Sequence, residues 1–158
     1  MSNMATIVQV SVSNGGVPKL PVMEALVAEN GIVGDGHDQS PAIHGGPERA
    51  LCLYSLERIE ALAAEGHPIF AGATGENVTL RGLDWDAIVP GVQLRLGAGV
   101  LVEVTRYTTP CSTNARWFTR GDINRMHQNL HPGWSRVYAR VLTGGTIRPG
   151  DGAEVVVA

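Results

Sequence analysis

The sequence contains few cysteines and no long apolar run. Two cysteines in 158 residues can form one disulfide at most, and they cannot supply the four thiolates that an iron–sulfur cluster usually takes. No apolar stretch approaches the ~18 residues that cross a bilayer, and no secretory signal precedes the first predicted strand. These absences predict a cytoplasmic protein with reduced thiols and no membrane partner.

Several ligand-binding signatures are also missing. The chain has no GxGxxG between a strand and a helix, no GxxxxGK[ST], no CxxC and no HExxH, so it predicts neither a dinucleotide-binding unit nor a P-loop. Any redox chemistry therefore needs electrons from another protein. The formal net charge of −3 argues against a nucleic-acid partner held by bulk phosphate attraction.

Glycine and proline are abundant instead, with 20 and 9 residues, and they separate short apolar segments. Alternation or continuous apolar character predicts strands that include Ala5–Val12, Ala50–Tyr54, Val100–Thr105 and Trp134–Leu142. Many short strands between Gly/Pro corners indicate a mainly β fold, a closed or half-closed β-barrel with two or three short helices. We expect residues 1–158 to form a single domain.

The helices are predicted from caps and periodicity. Ser55 is an expected N-cap for a helix over about 55–65, which ends near Gly66. A second short helix is predicted after Asp122, with Ile123, Met126 and Leu130 on one face. The segment Lys19–Glu29 leaves a short helix and an extended chain both open, because its apolar spacing and its prolines disagree.

The loop after Val100–Thr105 contains the residue of greatest chemical interest, Cys111. Pro110 stiffens this loop, and Arg106 and Arg116 are expected to favour the thiolate, the form that attacks or binds soft metals. Cys52 lies within the apolar segment Ala50–Tyr54, and we interpret it as a core residue.

Polar loops elsewhere suggest binding functions. The stretch His44-Gly45-Gly46-Pro47-Glu48-Arg49 runs into a buried strand; its glycine N–H groups and the Arg49 fork suit an anion, although a tight turn with a surface arginine is an equal alternative. Asn77 offers a paired donor and acceptor for a heterocycle edge, or is a turn residue.

Metal-binding readings of the histidines are weaker. Asp35, His37 and His44 invite a zinc site, perhaps with Cys111, but their spacing is not that of known zinc motifs. His127 and His131 are four apart, which would place them on one helix face, yet no third ligand lies nearby in sequence. A surface position is the simpler interpretation for this pair and for His37.

Taken in order, five motifs resemble the MOSC family, and stand-alone bacterial members most closely. They are Gly-Ile-Val-Gly-Asp-Gly-His at 31–37, His-Gly-Gly-Pro-Glu-Arg-Ala-Leu-Cys-Leu-Tyr at 44–54, Gly-Glu-Asn-Val-Thr at 75–79, the Val-Pro-Gly stretch at 89–97 and Pro-Cys at 110–111. The resemblance runs from about Ile7 to Val157.

The resemblance implies a β-barrel that binds a molybdopterin-type molybdenum cofactor, with Cys111 as the metal ligand or as a carrier of sulfur. It makes Lys19, Arg49, Gly45 and Gly46 candidates for the cofactor phosphate. Asn77 becomes the candidate for the pterin edge and Thr109 lies beside the metal ligand, while Asp35 and His44 belong to loops expected to surround the same pocket.

Two functions follow from the resemblance. The first is an enzyme that reduces N-hydroxylated compounds, such as hydroxylamino bases, with electrons from a separate protein. The second is a non-catalytic carrier or binding module for the cofactor or its sulfur, with a persulfide on Cys111. A zinc-binding or purely structural barrel is a third, weaker interpretation.

Overall fold

The computed structural model of the chain describes residues 5–36 and 46–157. Its strands are β1 Ala5–Val12, β2 Leu20–Val22, β3 Ala25–Ala28, β4 Gly31–Ile32, β5 Leu51–Ser55, β6 Val78–Arg81, β7 Gln93–Leu96, β8 Val100–Tyr107, β9 Val137–Thr143, β10 Gly145–Ile147 and β11 Gly152–Val155. One α-helix, α1 Leu56–Ala64, lies in the described part of the chain. Short 3-10 segments occur at Pro47–Arg49, Trp85–Ala87, Ser112–Trp117, Thr119–Gly121 and Ile123–Met126.

Seven strands close into a barrel in the order β1-β6-β5-β9-β8-β7-β11, and β11 pairs back with β1 at Ala5 and Thr6. The pairs are antiparallel apart from β5 and β6. These two are parallel because α1 and the following loop carry the chain back to the same end, as a parallel pair requires. Strand β2 extends the sheet beside the end of β1, and β10, β3 and β4 form a separate small sheet.

The barrel wall is buried most completely at β5, where every residue from Leu51 to Ser55 is buried. Helix α1 packs on β5 and β6 and contributes the buried side chains of Ile59 and Leu62. A strand covered on both faces has no solvent side, which explains its continuous apolar sequence. The Ser55 hydroxyl caps α1 by accepting a hydrogen bond from the Arg58 N–H at 3.2 Å.

The structure confirms a mainly β, closed-barrel fold. The predicted strand over 5–12 and the predicted helix over 55–65 are present, the latter as Leu56–Ala64. The ambiguous segment Lys19–Glu29 is extended and supplies β2 and β3. No helix among the described residues is long and apolar enough to cross a membrane.

The prediction of a short helix after Asp122 is wrong in its extent. Only Ile123–Met126 forms a single 3-10 turn, and the Asp122 side chain does not cap it. The backbone becomes extended at His127 (φ −88°, ψ 125°), so Leu130 projects into solvent with 59% of its surface exposed. His127 and His131 therefore do not share a helix face.

Candidate functional site

A cleft of about 650 Å³, including its open mouth, lies where several loops meet. It is lined by residues of four segments that are distant in sequence, 16–19, 74–77, 109–114 and 136–138, together with Gly36, Arg49 and Cys52. The cleft therefore joins loops that the sequence predicts to surround one pocket.

Most of the predicted site residues meet at this cleft. Its lining includes Lys19, Arg49, Asn77, Thr109 and Cys111. Asp35 forms hydrogen bonds with Lys19 and Asn77, and Gly46 precedes the 3-10 turn that contains Arg49. The predicted residues His37, His44 and Gly45 lie outside the described residues.

Cys111 is partly buried at the start of the 3-10 segment Ser112–Trp117. The hydroxyl and backbone of Thr113 hydrogen-bond the sulfur and are the main causes that lower the pKa of the thiol. Burial opposes them to a smaller extent, and the Ser112 hydroxyl and the charge of Arg136 make still smaller contributions that lower the pKa. The turn is held to the cysteine by the Asn114 N–H, which donates to the Cys111 carbonyl at 2.9 Å. The loop thus favours a thiolate.

The cation beside this thiol is not one of those that the sequence suggests. Arg106 is exposed on β8, and Arg116 donates to the Val17 carbonyl while its guanidinium carbon lies 4.7 Å from the ring centroid of Trp117. Arg136, rather than Arg106 or Arg116, is the cation that contributes to the lowered pKa of the Cys111 thiol.

Arg136 takes this position because β8 and β9 pair antiparallel. Tyr107 lies opposite Val137, and the Thr108 N–H donates to the Arg136 carbonyl at 3.0 Å. The residue that precedes β9 therefore lies beside the loop that follows β8. Strand pairing, rather than closeness in sequence, brings a buried cation to Cys111.

Arg136 and Asn114 form a polar floor of the cleft with unused hydrogen-bonding capacity. Arg136 is 6% exposed and Asn114 is 1% exposed. Arg136 Nη1 and Asn114 Nδ2 both donate to the Thr74 carbonyl, at 2.7 Å and 3.2 Å. Arg136 Nε and Asn114 Oδ1 are buried without a protein partner. Buried polar atoms of this kind usually pair, so the floor is suited to a polar or anionic ligand.

Cys52 is buried, as predicted, but it also lines the cleft. Burial raises the pKa of its thiol to about 11, although Arg136 opposes this effect. It lies directly opposite Tyr138 in the pairing of β5 with β9. Burial also raises the pKa of Tyr138, so this phenol keeps its proton at neutral pH and can donate a hydrogen bond into the cleft.

Arg49 lies at the cleft beside the same tyrosine. Its guanidinium carbon is 5.9 Å from the ring centroid of Tyr138, a distance at which the ring face attracts a cation. Tyr138 therefore neighbours two other cleft residues, Arg49 at its ring and Cys52 on the paired strand β5.

The side chains of Lys19, Asp35 and Asn77 are joined by hydrogen bonds. Lys19 Nζ donates to Asp35 Oδ1 at 2.7 Å and to Oδ2 at 2.9 Å, and Asn77 Nδ2 donates to Asp35 Oδ2 at 2.9 Å. The Asn77 oxygen accepts from the Cys52 N–H at 3.0 Å. In this arrangement Asp35 neutralises Lys19, and the Asn77 amide joins β1, β5 and the loop before β6.

Sequence reasoning does not identify Arg136, Tyr138 and Thr74, and it assigns no role to Asn114. The available signal is the predicted strand Trp134–Leu142, whose first residues must lie near the Cys111 loop if it pairs with Val100–Thr105. The described ranges hold no group of three or more His, Cys, Asp or Glu side chains placed to bind a metal. A site built from protein ligands alone is thus not present in this part of the chain.

Comparisons with known proteins agree on one family. The chain is 33% identical over 148 residues to the uncharacterized protein YflK of Bacillus subtilis, a match that covers 89% of this chain and 63% of YflK. It is 33% identical over 126 residues to YiiM of Escherichia coli, covering 77% of this chain and 54% of YiiM. A Gibberella moniliformis protein named Reductase is 32% identical over 126 residues, covering 77% of this chain and 22% of that protein. The chain thus spans less than two thirds of the length of each of these relatives.

Solved structures give the same result. The crystal structure of YiiM from Geobacillus stearothermophilus matches with a TM-score of 0.72 and 29% identity, over 97% of this chain and 75% of that chain. The YiiM structure from Escherichia coli matches with a TM-score of 0.74 and 27% identity, over 99% and 71%. The family model of the MOSC domain matches residues 40–154. The chain therefore belongs to the MOSC domain family.

Proposed function

We propose that this protein binds a molybdenum cofactor in the cleft through Cys111 and reduces N-hydroxylated compounds with electrons from a separate protein. The observation that carries the proposal is the hydrogen-bonded Cys111 thiol, whose lowered pKa favours thiolate, at the edge of a cleft that Arg136 also lines. A thiolate is a ligand for soft metal centres, and a buried arginine suits the anionic groups of such a cofactor.

The residues present fit a group of this kind. Arg136 Nε and Asn114 Oδ1 are buried and have no protein partner, so they can donate to and accept from a bound heterocycle or phosphate. Arg49 lies at the cleft and can hold a phosphate as a planar donor fork. Lys19 contributes less to anion binding than the sequence suggests, because Asp35 already pairs with it.

When bound, the molybdenum centre supplies two-electron reduction of an N–OH bond. Conversion of a hydroxylamine to an amine consumes two electrons and two protons and releases water. Among the groups of this chain, Thr113 and Ser112 hold the Cys111 thiolate, and Tyr138 keeps a proton at neutral pH because burial raises its pKa. Tyr138 is therefore the candidate to donate a hydrogen bond to a substrate oxygen.

The electron donor is proposed to be another protein. The name Reductase of the Gibberella moniliformis relative, in which the segment similar to this chain makes up 22% of the length, supports a reductive activity to which this domain contributes only a part. We extend this to a partner that delivers electrons to the cleft.

The partial exposure of Cys111 favours a second candidate function. A donor persulfide can reach this thiol from solvent, transfer its outer sulfur to the Cys111 thiolate and leave as a thiolate. In this function the protein carries a persulfide on Cys111, or holds the cofactor, without turning over a small substrate. Both functions use the same thiolate, and they differ in whether cofactor-loaded protein reduces a substrate.

The deciding experiment purifies the protein from a host that makes the cofactor and measures bound molybdenum. The loaded protein is then assayed for reduction of several hydroxylamino compounds with an artificial electron donor. Bound molybdenum with turnover supports the enzyme. Bound molybdenum without turnover on any of these compounds would favour the carrier.

A further inference from the structure

Glu76 is a buried carboxyl group that none of the chemistry above uses. Its exposed fraction is 0%, and it does not line the cleft. One oxygen accepts from the Gly72 N–H at 3.0 Å and from the Thr79 hydroxyl at 3.3 Å, and the other accepts from the Thr74 hydroxyl at 3.2 Å. An apolar side chain here would leave three buried donors unpaired, which is costly.

Two of these donors belong to one tight turn over residues 72–75. The Gly75 N–H donates to the Gly72 carbonyl at 3.2 Å, and the same carbonyl accepts from the Lys19 N–H at 2.9 Å. Gly72 has φ +87°, and a Cβ there would lie 2.5 Å from the Lys19 carbonyl oxygen. The turn therefore packs closely against the Lys19 backbone, and the Glu76 carboxyl group holds it through hydrogen bonds to Gly72 and Thr74.

The Thr74 carbonyl, within this turn, is bound by both residues of the cleft floor. The Thr74 carbonyl accepts from Arg136 Nη1 and from Asn114 Nδ2. Arg136 and Asn114 are the residues whose remaining polar atoms, Nε and Oδ1, have no protein partner. The orientation of both side chains thus depends on where this one carbonyl lies.

We infer that Glu76 is a positioning residue that fixes the Thr74 carbonyl and, through it, aligns Arg136 and Asn114 in the cleft. The use of those two groups on a ligand rests on the proposed function. Their alignment by Glu76 is a separate property of the protein, present without any ligand.

Side-chain hydrogen exchange of Arg136 Nε–H, followed by NMR in cofactor-free folded protein, tests the inference. Thr74→Val removes the hydroxyl that links Glu76 to the turn, and Thr79→Val is the matched control, because it removes the hydroxyl that links Glu76 to β6. We expect exchange on the order of tenfold faster or more in Thr74→Val, since one buried hydrogen bond to a carboxyl is lost. Thr79→Val should leave the exchange rate as in the wild type.

Two further variants test the carboxyl itself. Glu76→Met removes every acceptor and should accelerate exchange at least as much as Thr74→Val. Glu76→Gln keeps an oxygen for Gly72 and should restore slow exchange. Where Glu76→Met does not fold, the pair Thr74→Val and Thr79→Val still decides.

Equal exchange rates in Thr74→Val and Thr79→Val would overturn the inference, as would a wild-type Arg136 Nε–H that exchanges too fast to follow. Molybdenum content of the same variants, purified from a cofactor-producing host, separates this result from the proposed function. If the variants show the predicted exchange rates but the wild-type protein binds no molybdenum, the role of Glu76 is supported and the proposed cofactor is contradicted.

Discussion

Cys52 and Cys111 line the same cleft, yet their thiols differ in acidity. Cys52 lies on the barrel strand β5, where burial raises its pKa to about 11. Cys111 lies in a loop, where hydrogen bonds from Thr113 lower its pKa. Arg136 lowers the pKa of both, so the shared cation does not explain the difference.

Burial and local donors together separate the two thiols: burial has the largest influence on the pKa of Cys52, and the Thr113 hydrogen bonds have the largest influence on the pKa of Cys111. The 3-10 segment Ser112–Trp117 begins directly after Cys111, and it places hydroxyl and N–H groups around that sulfur. Cys52 lies within a continuous strand, where its own N–H donates to the Asn77 side-chain oxygen. Among the described residues, its thiol receives a hydrogen bond only from Arg136, which has the smallest of the effects on its pKa. The shallower burial of Cys111 and the donors of its loop therefore both favour the thiolate at Cys111 over Cys52.

The largest expected effect is selective alkylation. At pH 8, about one thousandth of Cys52 is thiolate, given its pKa of about 11, and the thiolate is the reactive form. Native, metal-free protein treated with iodoacetamide should therefore label Cys111 on the order of a hundred times faster than Cys52, as measured by peptide mass mapping. In denaturant the two should label at similar rates. Faster labelling of Cys52 in the native protein would reverse the assignment.

A smaller effect is expected when the main donor to Cys111 is removed. Thr113→Val deletes the hydroxyl that stabilises the thiolate, and we expect Cys111 alkylation at pH 8 to slow roughly threefold to tenfold, because a partly exposed hydrogen bond to a charged group contributes modestly. Thr109→Val is the matched control, since Thr109 lines the cleft but lies outside the group of donors that act on Cys111. Equal rates in the two variants would mean that Thr113 does not set the reactivity.

The smallest effect concerns Glu76, whose charge raises the pKa of Cys52. Burial raises the pKa of Glu76 itself, so the folded protein holds this proton more tightly than the unfolded chain. The resulting stabilisation is present below the ordinary pKa of a glutamate and is lost as the pH rises through the raised value. Glu76→Gln does not titrate, so its free energy of unfolding relative to wild type should increase as the pH rises from the ordinary pKa of a glutamate through the raised value.

Denaturant unfolding at several pH values measures this difference. Cys52 alkylation should also become slightly faster in Glu76→Gln, while Cys111 alkylation stays unchanged. A relative stability that is flat or falls with rising pH would show that Glu76 is ionised in the folded protein without cost.

The fold and the reactive loop were accessible from the sequence. Alternation over Ala5–Val12 and the cap at Ser55 give β1 and α1 with nearly correct ends, because both signals are local. Pro110 next to Cys111 marks the loop after β8 for the same reason. Local chemistry is sufficient to find these elements.

The electrostatics of the site were not accessible in the same way. Arg136 reaches Cys111 through the pairing of β8 with β9, which depends on tertiary register. Asp35 forms an ion pair with Lys19, and the Asn77 amide hydrogen-bonds protein atoms. A lysine and an asparagine that the sequence offers for ligand binding are therefore already paired within the protein. Charges and amides can be assigned to a ligand only once their protein partners are known.

The central claim is that Cys111 binds molybdenum. The most direct measurement compares molybdenum content and hydroxylamine reduction in wild-type protein and in Cys111→Ser, both purified from a host that makes the cofactor, with Cys52→Ser as the control thiol. The account predicts a folded Cys111→Ser protein that loses most of its turnover, because an oxygen ligand replaces a soft thiolate, while Cys52→Ser retains it. Unchanged molybdenum content and turnover in Cys111→Ser would contradict the claim.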